Sequence, residues 1–354
     1  MTEVPAFHLA GVARLGDAAG MLDQICEHFV EHADVERSGA SAVLRSHGGT
    51  ASLRVHDAKL LIDLACLSQD ALEITRTSIA EHMFYFAGTD PLDLAWSQPA
   101  ARGLPNLHHV TVAGVEDITP RMRRVTFSCA DVTPFIGGEM HVRVLVPPKG
   151  RDPVWPSYRP DGRVAWPEGD DALVVRAYTI RSVDREKGQV AIDFFQHAVP
   201  GIATPGGDFA RDACLGDRLA LVGPGSGSLP PAADILLIGD ESALPAIARI
   251  AADVPAGTGM RAIIEVEDAA EEQPLSSAGT LDLRWLHRSG YAEGENLLRE
   301  QALRAIEASP DSTYVWAACE KDDIRAIRTL LKQRGHDKKR MYVAWYLERQ
   351  RPAD

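Results

Sequence analysis

The feature that most constrains this chain is a change of rhythm near residue 229. Before it, from residue 106, strand follows strand with almost no helical spacing: 108–114, 121–128, 139–146, 173–182, 189–197 and 217–222. Within 139–146, Met140, Val142, Val144 and Val146 alternate with Glu139, His141, Arg143 and Leu145, the pattern of a half-buried strand. Six strands without helices predict a small closed antiparallel barrel, with the Pro/Gly-rich stretch 147–170 as a long surface excursion. After residue 229 the elements alternate, with strands at 234–239, 260–266, 281–287, 313–318 and 341–347 and helices at 242–253, 295–308 and 322–334. That alternation predicts a parallel sheet covered by helices, with ligands beyond the carboxyl ends of its strands.

The first hundred residues have a third character. Ala18–Glu31 carries helical apolar spacing through Met21, Leu22, Ile25 and Phe29, and 68–86 does so through Leu72, Ile79, Met83 and Phe86. Short strands are read at 39–46, 50–56 and 59–67. The chain is therefore expected to be multidomain: a small α+β domain over 1–98, a linker at 99–106, an antiparallel β-barrel over 107–228 and an α/β parallel-sheet domain over 229–354. His28, His32, His47, His56 and His82 match no compact metal-ligand spacing, so no metal site is expected.

The net charge of −13 argues against a nucleic-acid partner. The middle third is the least acidic, with 14 basic against 15 acidic side chains, and 12 of its cations are arginine, the residue suited to phosphate. Five scattered cysteines with no C-x-x-C pair argue against a disulfide scaffold and fit a cytoplasmic protein. Apolar runs are too short for stable membrane insertion, and no secretory signal is read at the N-terminus.

On the fourth barrel strand lies Arg176-Ala177-Tyr178-Thr179-Ile180-Arg181. Alternation puts Arg176, Tyr178 and Ile180 on one side, so an arginine able to clamp a diphosphate stands two positions from an aromatic face for a ring system. Thr179 offers a hydroxyl. Spacing alone equally allows an edge strand with two surface arginines. Gly239-Asp240-Glu241 ends a strand before a helix, where two carboxylates stabilise the helix dipole and repel a diphosphate. Trp316–Glu320, including Cys319 and Glu320, ends the fourth strand of the same sheet.

With Gly-Asp-Arg-Leu-Ala-Leu-Val-Gly-Pro (216–224), Gly-Asp-Glu-Ser-Ala-Leu-Pro-Ala (239–246) and Trp-Ala-Ala-Cys-Glu (316–320), the strand motif completes a set of four in order. The chain here resembles the siderophore-interacting protein family, flavin-dependent ferric-siderophore reductases of the ferredoxin-reductase superfamily. Residues 1–100 resemble a small domain of unknown function sometimes joined to such reductases. The resemblance implies FAD, with Arg176 on the pyrophosphate, Tyr178 against the flavin, Thr179 near its reactive nitrogen and Ile180 in the same strand. It implies Arg181 as a second cation, and His197, Ala198, Gly201, Ala203 and Thr204 near the remaining phosphate and adenosine. Pro205-Gly206-Gly207-Asp208 departs from the family and is expected to delay the helix that should face the phosphate. Asp240, Glu241, Cys319 and Glu320 are the candidates at the catalytic cleft, although Cys319 also suits a packed thiol. Of Trp345 and Tyr346, one is expected over the flavin, and Trp345 is taken for that role.

The implied activity is reduction of a ferric siderophore, releasing Fe(II), with NAD(P)H or reduced ferredoxin as donor. Iron arrives with the substrate, so the protein needs no metal ligands, and anionic siderophores would meet Arg143, Lys338, Lys339 and Arg340. Two other readings stay open: a general flavin oxidoreductase with another acceptor, and a non-catalytic siderophore or flavin carrier.

Overall fold

The computed structural model describes residues 7–30, 33–101, 103–196, 204–292 and 295–348. Two compact units result, Met1–Leu107 with Pro147–Leu173, and His108–Val146 with Val174–Asp354.

In the first unit, strands β1 (Phe7–Leu15), β2 (Asp34–Ser38), β3 (Ser41–Ser46), β4 (Gly49–His56), β5 (Lys59–Cys66) and β6 (Leu92–Trp96) form an antiparallel sheet. Its order is β2-β3-β4-β5-β1-β6. On β5 every second residue, Leu60, Ile62, Leu64 and Cys66, enters the core. Helix α1 (Ala18–Phe29) adds Met21, Leu22, Ile25 and Phe29; helix α2 (Gln69–Ala87) adds Leu72, Ile79, Ala80 and Met83. Asp17 and Ser68 cap the two helices by accepting from Gly20 N and Ala71 N. Each fully buried large aliphatic side chain is worth about 1.5–3 kcal/mol, enough for one stripe to hold a helix too short to persist alone.

Three of these strands escape the sequence reading. β1 sends Leu9, Gly11 and Ala13 inward, too small a set to register as alternation. Gly11 is required there, because a Cβ would stand 2.7 Å from the ring of Trp96, its β6 neighbour. β2 is an edge strand, exposed at every residue but Val35, and β6 is only five residues long.

The chain then enters the second unit with β7 (Leu107–Thr119), β8 (Met122–Cys129) and β9 (His141–Val146). Residues 147–173 return to the first unit, where β10 (Ser157–Tyr158) pairs with β11 (Val164–Ala165). This stretch is a docked segment rather than a free excursion. Thr77 Oγ1 donates to Gly162 O at 3.0 Å, Trp96 Nε1 to Asp161 O at 2.7 Å and Val164 N to Glu81 at 2.8 Å. The Arg163 guanidinium lies 3.5 Å from the centroid of Phe84.

Strands β12 (Val174–Asp184), β13 (Gln189–Phe195) and β14 (Arg218–Val222) complete a closed barrel of order β12-β13-β8-β7-β14-β9. Its interior is filled by Val110, Val125, Phe127, Val142, Ile180, Phe194 and Leu221, among others. Helix α3 (Pro205–Asp212) places Phe209 and Ala210 against the same core. The helix begins at Pro205 itself, so the Pro-Gly-Gly-Asp run does not delay it. Proline is tolerated in a first helical turn because its missing N–H would have had no intrahelical partner.

The remainder is a parallel sheet of order β17-β16-β15-β18-β19, built from β15 (Asp234–Gly239), β16 (Gly259–Val266), β17 (Thr280–His287), β18 (Tyr314–Glu320) and β19 (Met341–Leu347). Helices α5 (Leu297–Ala308) and α6 (Lys321–Gln333) cover one face. Helix α4 (Leu244–Asp253) covers the other, in a cluster that also takes in Met122 and Met140 of the barrel. Polar contacts fix this seam: Arg249 donates to Ile180 O at 3.0 Å, and Thr119 and Arg121 donate to Glu271. Among the described residues no helix is long and apolar enough to cross a membrane.

Candidate functional site

Strand β12 carries the candidate ligand face. It pairs with β9 so that Arg176 lies opposite Val144, Tyr178 opposite Val142 and Thr179 opposite His141. Alternation buries Ile180 in the barrel and turns Tyr178 toward it, with the tyrosine ring 4.3 Å from that of Phe194. Arg176, on the same row, is exposed and donates to Val175 O at 2.8 Å. It has no ion pair among the described residues, so its guanidinium is available. The Tyr178 hydroxyl lies against α3, where a Cβ at Gly206 would stand 1.8 Å from it. The unusual glycine in that helix thus makes room for the tyrosine. Burial pushes the Tyr178 phenol up to about 12, against the pull of Arg176.

The opposite row of β12 reaches β19 through His141 of β9. Thr179 is buried, with Oγ1 3.1 Å from His141 Nδ1. The other ring nitrogen, Nε2, lies 2.7 Å from the Tyr346 hydroxyl. Tyr346 is in turn 3.1 Å from the Tyr342 hydroxyl, and Tyr342 stacks on the buried Trp316 at 5.4 Å. A continuous polar chain therefore runs from the barrel strand to the last strand of the sheet. Burial holds the His141 imidazole down at about 4, so it is neutral at physiological pH.

The ends of β15 and β16 have the opposite electrostatics. Asp240 accepts from Ser242 N at 2.9 Å and from the Ser242 hydroxyl, and burial lifts its carboxyl to about 6. Glu241 pairs with Arg288, which also reaches Glu265 at 3.0 Å and Glu267 at 3.4 Å. Arg121 adds a second cation on Glu267 at 2.8 Å. Three carboxylates therefore share two guanidinia, with Asp240 a fourth beside them, and the excess is negative.

The remaining sequence candidates divide. Arg181 turns toward Asp193, 3.8 Å away, an aspartate already held by both arms of Arg124. Burial lowers the Arg181 guanidinium's affinity for its proton. Thr204 caps α3 as its preceding residue, and its backbone N–H donates to Asp208 at 2.9 Å. Arg143 is exposed on β9, opposite Ala177. His197, Ala198, Gly201 and Ala203 lie outside the described residues.

Four further candidates lie in other surroundings. Cys319 is fully buried in the core beneath α5 and α6, and burial pushes its thiol far up, so it is a packed thiol. Glu320 accepts from Asp322 N at 2.7 Å as the cap of α6. Trp345 points to the face of β19 away from His141, half exposed, with Lys321 5.5 Å from its ring centroid. The period of two makes Tyr346, not Trp345, the aromatic joined to Thr179. Lys338, Lys339 and Arg340 precede β19, whereas Tyr346 lies near its far end, roughly 20 Å along the strand at about 3.3 Å per residue.

His141 and Arg288 are the residues the sequence reading passes over. His141 falls on the polar row of an alternating strand, which reads as solvent-facing. The one cue is Leu145, an apolar residue on that row and fully buried, showing that something covers it. Arg288 gathers carboxylates from two separate segments, the ends of β15 and β16, a pattern without local spacing.

An available arginine and a half-buried aromatic share one row of β12, with a held hydroxyl beside them on the other, and the pair on the first row fits a ligand with a diphosphate and a flat ring. Among the described residues no group of three or more His, Cys, Asp or Glu could hold a metal ion. The profile of the siderophore-interacting FAD-binding domain matches residues 111–228, and that of the siderophore-interacting protein matches 232–350. Residues 10–97 match an uncharacterized protein family conserved in bacteria, DUF2218. The chain is 35% identical to a siderophore utilization protein from T. fusca, covering 70% of this chain and 94% of that one, with a TM-score of 0.58. It is 25% identical to the siderophore-interacting protein SipS from Aeromonas hydrophila over 70% and 93% of the two chains, with a TM-score of 0.56. It is also 29% identical to the ferric vibriobactin reductase ViuB of Vibrio cholerae, over 61% of this chain and 79% of that protein. With barrel and parallel sheet matched in turn, and a relative spanned almost end to end, the chain belongs to the siderophore-interacting protein family and carries its FAD-binding domain.

Proposed function

We propose that this protein is an FAD-dependent reductase of ferric siderophores that frees iron as Fe(II) in the cytoplasm. The observation that carries the reading is β12, where Arg176 is exposed, with no ion pair among the described residues, beside the Tyr178 ring and the Thr179 hydroxyl. Arg176 would hold the FAD diphosphate by charge-assisted hydrogen bonds, Tyr178 would pack against the isoalloxazine, and Thr179 would meet its polar edge. FAD, when bound, supplies the redox chemistry, accepting electrons in pairs and releasing them singly. The chain's task is placement and exclusion of water. Oxygen-rich siderophores favour the harder ferric ion, so reduction loosens the metal. Arg143, exposed on the strand beside β12, is the nearest candidate to meet an anionic siderophore.

The donor is NAD(P)H or reduced ferredoxin. At 4 Å and an effective dielectric near 20, each unbalanced pair of like charges costs about 4 kcal/mol. The carboxylate excess at Asp240, Glu241, Glu265 and Glu267 therefore disfavours a nicotinamide diphosphate at the ends of β15 and β16. A pyridine nucleotide would have to seat its phosphates elsewhere.

An anaerobic titration tests the whole reading. FAD-loaded protein is reduced in turn by NADH, NADPH and reduced ferredoxin, then mixed with ferric siderophores and a ferrous-specific chelator. The expected result is recovery of the oxidised flavin absorbance with one ferrous chelate per electron. Reoxidation by other acceptors but not by ferric siderophores would make the protein a general flavin oxidoreductase. Failure of every donor and acceptor would leave a carrier.

A further inference from the structure

We propose that His141 is a positioning residue that receives a hydrogen bond from Tyr346 and gives one to Thr179, leaving the Thr179 O–H directed at the ligand. The inference rests on the reading of Thr179 as a flavin contact, but the hydrogen-bond direction itself does not.

A neutral imidazole has one N–H and one lone pair. Between its two close hydroxyls, with the Tyr342 hydroxyl a longer 3.5 Å from Nε2, it can be arranged in two ways. With the proton on Nδ1, the ring donates to Thr179 Oγ1 and accepts from Tyr346, and the threonine O–H is free to donate outward. With the proton on Nε2, the ring donates to Tyr346, and Thr179 must turn its O–H inward to satisfy Nδ1. The distances, 3.1 Å and 2.7 Å, allow both.

The chemistry of the two hydroxyls decides between them. A phenol ionises near 10, whereas an aliphatic hydroxyl resembles water at about 15.7, so the phenol is the stronger donor to a ring lone pair. Burial raises the Tyr346 phenol further, which keeps its proton in place. The shorter of the two contacts is also the tyrosine one. Tyr342 can satisfy the remaining lone pairs of Tyr346, since their hydroxyls are 3.1 Å apart. Crowding holds the ring: a Cβ at Gly227 would come within 2.2 Å of it. The imidazole thus lies in a slot between the barrel and β19, and its orientation depends on Tyr346.

Two measurements test this. In FAD-free protein labelled with 15N-histidine, His141 is assigned by the signal lost in His141→Gln. Its ring shifts are expected to show a protonated Nδ1 and a lone pair on Nε2. An Nε2–H tautomer would overturn the proposal, whatever the protein does with flavin. In FAD-loaded protein, the flavin midpoint potential is measured for wild type, Tyr346→Phe, Thr179→Val and the double variant. Tyr346→Phe is expected to shift the potential when Thr179 is present and to leave it unchanged when Val replaces it, a non-additive cycle. Thr179→Ser, which keeps the hydroxyl, should restore the Tyr346 dependence. Equal shifts in both backgrounds would show that Tyr346 acts independently of Thr179 and would contradict the proposal. If FAD does not bind at all, the function proposed above falls, and the tautomer alone decides this inference.

Discussion

On β12, Arg176 stands exposed with no ion pair among the described residues, while beside the ends of β15 and β16 Arg288 is held by Glu241, Glu265 and Glu267. Both arginines lie where their fold elements present ligand-binding groups. One is free to meet an anion, and the other neutralises buried carboxylates of its own protein. The comparison teaches that residue type does not identify a phosphate site. What counts is the charge left after the protein's own pairs are formed.

The largest test of that contrast is Arg288→Leu. It removes the cation facing Glu241 and Glu265, whose side chains are about nineteen-twentieths buried. Urea unfolding should show a loss of about 3–5 kcal/mol, the usual effect of removing one partner from a buried pair. A loss below about 1 kcal/mol would mean the carboxylates find other partners.

Next in size is the pH dependence set by His141. Its folded value, about 4, lies below the ordinary 6.5, so between these the unfolded chain binds the extra proton. Stability from the neutral ring is therefore full above pH 6.5 and is lost as pH falls toward 4. Asp240 works in the opposite sense: its value is raised from 3.8 to about 6, so the folded state gains stability as pH falls through that range. The two mask each other in wild type. The difference in unfolding free energy between wild type and His141→Gln should shrink by about 3 kcal/mol from pH 7 to pH 4. The groups hydrogen-bonded to the ring, Thr179, Tyr342 and Tyr346, do not titrate there, so a pH-independent difference would contradict the buried neutral imidazole.

Gly206→Ala should cost about 1–2 kcal/mol of stability, since its methyl overlaps the Tyr178 hydroxyl. Tyr178→Phe in that background removes the overlapping atom and should recover part of the loss in the same unfolding assay. No recovery would place the strain elsewhere. The smallest expected effect is Trp345→Ala, within about 0.5 kcal/mol and without change in FAD affinity measured by fluorescence quenching. A clear loss of FAD affinity would restore Trp345 to the site in place of Tyr346.

The architecture was largely legible because barrel strands and α/β elements each repeat a strong hydrophobic period. β1 and β2 were hidden for physical reasons: Gly11 and Ala13 bury little apolar surface, and Asp34–Ser38 is an exposed edge. At the site, Arg176, Tyr178 and Thr179 were legible because strand alternation fixes which of them share a face. His141 was not, because a polar row reads the same whether it meets water or a neighbouring sheet. The same ambiguity separated Trp345 from Tyr346, and the basic run 338–340 was a surface cluster at the opposite end of its strand. Arg288 depends on partners up to 47 positions away, which no local pattern encodes.

The most direct test of the account is FAD binding followed by flavin fluorescence in wild type, Arg176→Ala and, as a charge-matched control, Arg143→Ala. Wild type should bind one FAD per chain. Arg176→Ala should bind about a hundredfold more weakly, as expected for losing paired charge-assisted bonds to a diphosphate, while Arg143→Ala should stay close to wild type. FAD bound as tightly by Arg176→Ala as by wild type would contradict the placement of the cofactor on β12.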